Sequence, residues 1–85
     1  MYSKEAVEVF LKKQTQLFDE TVAETAEEAQ EFLDECMAVE VDTIKEVRKY
    51  LDELGADVSG MSKKDLEEAS EVFALPSGRY LIVEG

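Results

Sequence analysis

Residues 19–35 read DETVAETAEEAQEFLDE, eight carboxylates with no Lys, Arg or His among them. The architecture turns on whether one helix runs through this stretch or a second helix starts inside it. From Val7 to Met37 apolar residues recur every three or four positions, the spacing of a single helix face. Ser3 is placed to cap the start, because its hydroxyl accepts from the first free backbone N–H groups, and no Gly or Pro interrupts the pattern before about Ala38. Inside it, Thr21 and Glu24 spell T-x-x-E, the pattern of a helix N-terminal capping box. The sequence therefore predicts a first helical segment over about residues 3–38, either continuous or broken near residues 19–21.

The alternatives differ in assembly. A continuous helix would be about 50 Å long at 1.5 Å per residue, whereas a compact chain of this size is roughly 30 Å across. The remaining residues could not cover both ends of its apolar stripe. Continuity thus implies a homodimer with Val7, Phe10, Leu11, Leu17 and Phe18 as the contact residues, and a break permits a compact monomer. The dimer is the expectation.

Downstream, Asp42 is a candidate N-cap for a second helix over about residues 43–54, with Ile44, Val47, Tyr50, Leu51 and Leu54 as its stripe and Gly55 as a left-handed stop. Ser62 and Asp65 open a short third helix over about residues 63–70. The tail EVFALPSGRYLIVEG is rich in β-branched and aromatic residues, and Pro76-Ser77-Gly78 interrupts it as a turn. It predicts a hairpin over about residues 71–83, with Leu75 opposite Tyr80 and Phe73 opposite Ile82 if the turn is Ser77-Gly78 alone. Both faces of that ribbon are apolar, and a two-stranded ribbon is marginal in water, so helices or a second copy must cover it. The fold class is α+β, mainly α, in one domain over residues 1–85, and no internal repeat is expected.

With no His, the chain lacks the commonest general base and metal ligand. Its glycines are spaced as turns rather than as a phosphate-cradling loop. No catalytic, cofactor-binding or metal-binding residue is assigned, and the expectation is a non-enzyme. Cys36 is the single cysteine, which suits a reducing compartment. No signal peptide or membrane-spanning run is visible, so the expected location is cytoplasmic and membrane contact is not expected.

The net charge of −12 is local, because residues 19–42 carry ten acids and no base. On a continuous helix Glu20, Glu24, Glu27, Glu31 and Asp34 fall on one line, flanked by Glu28 and Glu35. Like charges at i,i+3 and i,i+4 each cost roughly 0.2–0.5 kcal/mol, about 1.5–3.5 kcal/mol for the whole row. A solvated face is one explanation. A face that meets a basic protein is the functional one, since opposite charge speeds encounter and sets specificity. The expected role is therefore a non-catalytic interaction or adaptor module, with Glu20, Glu24, Glu27, Glu28, Glu31, Asp34 and Glu35 as the partner-binding residues. A DNA-mimic inhibitor of a nucleic-acid-binding protein and a purely structural oligomerisation module are the alternatives.

The second helix, turn, third helix and hairpin resemble a winged helix in their order, which implies DNA binding. The helix that would enter the groove, SKKDLEEAS, holds two lysines against three acids, and the sequence pI is about 4.2. The electrostatic footprint of a nucleic-acid binder is absent, and no direct nucleic-acid contact is expected.

Overall fold

The computed structural model describes residues 2–18 and 20–83. Helix α1 spans Lys4–Lys13 and starts where Ser3 was expected to cap it, the serine side chain accepting from the Ala6 N–H. It stops at Lys13 because Gln14 turns inward. That side chain is 3% exposed, and its amide donates to the carbonyls of Leu11 and Ala23 while its oxygen accepts from the N–H groups of Val22 and Ala23. The chain passes through a 3-10 turn, Gln14–Gln16, and folds back irregularly, delivering Ala23 into the core. The first segment is therefore not one helix.

Asp19, at the edge of the expected break, lies outside the described residues. Glu20 and Thr21 are exposed and non-helical. Helix α2 begins later, over Ala26–Glu35, and Thr25 rather than Thr21 caps it, accepting from the Glu28 N–H. This stretch holds two consecutive T-x-x-E boxes, Thr21–Glu24 and Thr25–Glu28, and the second is the one used.

After α2 the backbone turns through Met37, at φ +57°, and enters strand β1, Val39–Val41, which the sequence reading left as a connector. Helix α3 spans Ile44–Glu53, capped by Thr43 instead of Asp42, and helix α4 spans Lys63–Glu68, opened by a complete Ser62–Asp65 capping box. Asp42 is released to pair with Arg79 at 2.8 Å. Gly55 ends α3 at φ +94°, where lacking a Cβ removes the steric penalty of the left-handed region.

Strands β2, Val72–Ala74, and β3, Tyr80–Ile82, form the expected hairpin one residue out of the expected register. Val72 faces Ile82, Phe73 faces Leu81 and Ala74 faces Tyr80. The loop holds three residues, not two: Leu75 and Arg79 are bonded across it, the Gly78 N–H reaches the Leu75 carbonyl, and Gly78 has φ +93°. Pro76 and Ser77 thus sit in a turn closed by a left-handed glycine, the usual geometry of a three-residue hairpin loop.

β3 is the central strand of a three-stranded antiparallel sheet, with β1 on one side and β2 on the other. Because side chains alternate along a strand, Phe73, Leu75, Leu81 and Val83 join one core with Val7, Phe10, Ala29 and Leu33 of α1 and α2. Val72, Tyr80 and Ile82 join a second core with Val47, Leu51, Val58 and Leu66. The sheet is a thin middle layer between two helix pairs, which explains the hairpin's two apolar faces. The order α3, α4, hairpin is that of a winged helix, yet this hairpin is buried on both faces and projects no wing.

α2 and α3 are variants of one unit. Thr25–Ala38 and Thr43–Ala56 align without a gap and agree at Thr25/Thr43, Glu28/Glu46, Leu33/Leu51, Asp34/Asp52, Glu35/Glu53 and Ala38/Ala56. The agreement, unanticipated from the sequence, covers cap, buried position and last turn, so each helix is a reference for the other. The whole is compact, with a radius of gyration of 12.2 Å and extents of 36 × 26 × 19 Å.

Candidate functional site: the acidic face of α2

α2 buries Ala29 and Leu33 and turns its other side to solvent. Three clamps fix it. The Gln30 amide exchanges two hydrogen bonds with the Tyr2 backbone, at 2.9 and 2.8 Å. The Tyr2 hydroxyl shares its one proton between the Leu33 and Ala38 carbonyls where the helix ends. Phe32 stacks on Phe10 with ring centroids 5.7 Å apart. Burial, together with the nearby Asp34 carboxylate, raises the Tyr2 phenol above its ordinary pKa.

All seven expected partner-binding carboxylates are exposed, but they do not form the expected single row. Glu27, Glu31 and Asp34 line the outer face of α2, with Glu28 and Glu35 beside them. Glu20 and Glu24 precede the helix and belong to the irregular segment, because the chain is held there by Gln14. The helical row is consequently about 10 Å long instead of about 20 Å. Glu28 also has a local task, accepting from the Glu24 N–H and the Thr25 hydroxyl.

Four like-charge pairs remain at helical spacing, and Glu31 belongs to each: with Glu27, Glu28, Asp34 and Glu35. Their cost is roughly 1–2 kcal/mol. Among the described residues the ion pairs are those of Arg79 with Glu40 and Asp42, so none of the seven carboxylates is neutralised from within the fold. No three carboxylate or thiol groups among the described residues converge as a metal site. No helix there is long and apolar enough to cross a membrane.

The contact residues expected between two copies are placed differently. Val7 and Phe10 are buried in the chain's own core, and Leu11, Leu17 and Phe18 pack half-buried against it. The premise for a dimer, a continuous helix, does not hold, since α1 ends at Lys13.

Sequence reasoning missed Gln14, Gln30 and Met37. The two amides act through backbone atoms distant in sequence, which composition does not reveal. Met37 is 76% exposed although the helical repeat placed it on the apolar stripe. A further open groove beside α3 is lined by Lys45, Arg48, Lys49, Asp52, Asp57, Val58 and Ser59. It mixes bases with acids, and Arg48 is committed to the Val58 and Met61 carbonyls. Hydrogen bonds from Ser59 hold the Asp57 carboxyl below its ordinary pKa. No family model, curated protein or solved structure matches the chain.

Proposed function

We propose that the protein is a non-catalytic interaction module, acting in the cytoplasm, whose acidic α2 face docks on a basic protein surface. The observation that carries this reading is a row of exposed carboxylates on a helix fixed from behind, with no ion pair to them among the described residues. The row is rigid because Tyr2, Gln30 and Phe32 hold the helix, and a pre-organised charged face loses little freedom when it binds. A homodimer through this face is disfavoured, since two copies would set like charges together. A DNA mimic has less support than the original row gave it, because a phosphate track is much longer than three aligned carboxylates.

The test compares proteins retained from lysate by the immobilised wild type and by the Glu24→Lys/Glu27→Lys/Glu31→Lys/Asp34→Lys variant. A basic protein held by the first and lost from the second is the expected result. Equal retention by both would sink the acidic-face reading. Displacement of the same protein by duplex DNA would favour the mimic.

A further inference from the structure

α2 and α3 share a length of ten residues, a threonine cap and the same closing turn. In α3 the Gly55 N–H bonds to the Asp52 carbonyl and the Ala56 N–H to Leu51. In α2 the Met37 N–H bonds to Asp34 and the Ala38 N–H to Leu33. Position by position, however, α2 carries Glu27, Gln30, Glu31 and Met37 where α3 carries Lys45, Arg48, Lys49 and Gly55. Gln30 and Arg48 both bind backbone and are explained by the fold. Glu27, Glu31 and Met37 face solvent and are not.

Glu27 sits in the first turn, where the helix dipole favours a carboxylate, but Glu31 and Met37 work against α2. Met37 occupies the left-handed region, where an L side chain crowds its own carbonyl and glycine is favoured. Its side chain, 76% exposed, adds nothing to the core in return. Glu31 lies one turn before Asp34 and Glu35, at the helix end where peptide dipoles already concentrate negative charge, whereas α3 carries Lys49 at the matching position. Local choices that oppose the fold tend to sit where a protein meets something else.

We propose that Met37 is the apolar anchor of the α2 interface, and that its occupant is a cationic amphipathic helix of a partner protein. Such a helix rests its apolar side on the flexible thioether and its Lys or Arg residues against Glu31, Asp34 and Glu35. The proposal rests on the acidic-face reading and adds the apolar requirement to it.

The test uses two labelled peptides of equal charge, an amphipathic leucine–lysine helix and an oligolysine, titrated into the full chain by fluorescence anisotropy. The wild type is expected to bind the amphipathic peptide about tenfold more tightly than the oligolysine, a margin of about 1.4 kcal/mol. Met37→Gly is expected to abolish that margin while raising the melting temperature by about 4 °C. Met37→Ala, which keeps an L residue in the turn, is expected to abolish it without that rise. An unchanged margin in both variants overturns the role of Met37, even if Glu31→Lys still weakens both peptides. If Glu27→Lys/Glu31→Lys weakens neither peptide, the acidic-face reading itself falls.

Discussion

All three glutamines of the chain are backbone clamps. Gln30 ties Tyr2 to α2, and Gln16 donates to the Ser70 and Val72 carbonyls, covering part of the outer edge of β2. Gln14 is the most committed, with four bonds to backbone in a buried site. Gln14→Met keeps its shape and leaves those partners unanswered, so it is expected to cost about 2–4 kcal/mol, read as a lower urea midpoint. Tyr2 and Tyr80 set a pH limit. Burial raises both phenols, and neighbouring carboxylates add to it, Asp34 for Tyr2 and Glu67 for Tyr80. A raised folded pKa means the folded state holds its proton more tightly than the unfolded chain. The associated stability is complete below the ordinary phenol pKa of 10.0 and is lost as pH rises through the folded values. Urea midpoints should therefore fall as pH rises above about 10. A Tyr2→Phe/Tyr80→Phe variant should show a shallower decline.

Among the elements, α2 is the one whose surface opposes its own stability, and the conflict centres on Glu31. Glu31→Gln removes four like-charge pairs and is expected to stabilise the fold by about 1 kcal/mol at low ionic strength, the gain shrinking in high salt. Thermal melts of both proteins at two salt concentrations would show it. Thr25→Ala removes the cap in use and should cost about 1 kcal/mol. Thr21→Ala, in the unused box, should stay within about 0.5 kcal/mol of wild type. That contrast marks where sequence reading stops. Both boxes obey the same local rule, and Gln14 chooses between them by bonding residues eight and nine positions ahead. α3 was legible because its stripe and Gly55 are local, and the Pro76-Ser77-Gly78 turn was legible for the same reason. Its register was not, because one residue more in the loop shifts every cross-strand pair. β1 escaped because three residues are too few to establish a period. Of the candidate site, Glu27 to Glu35 were readable as a face and Glu20 and Glu24 were misplaced with the break. The role of Met37 requires knowing its φ.

At the scale of the molecule, two cores share one strand. Leu81 points into the α1/α2 core and its neighbour Ile82 into the α3/α4 core. Leu81→Ala and Ile82→Ala are each expected to cost about 2–5 kcal/mol. Their effect should not stop at the layer where the cavity forms, since each core is roofed by the other's strand. Amide hydrogen exchange in Leu81→Ala should accelerate at Val47 and Leu51 as well as at Ala29 and Leu33. Full protection of α3 in that variant would mean that the layers unfold independently. The placement of β3 also bears on synthesis. The central strand is made after every element it joins, so a growing chain passes through the stage at which both helix pairs exist and neither has its floor. Until Tyr80 to Val83 clear the ribosome, the apolar sides of α1, α2, α3 and α4 have no common surface to close on. Closure of both cores therefore waits for β3. The carboxylates gathered between residues 19 and 42 emerge before the sheet can form, and like charge of this kind opposes association of chains at that stage.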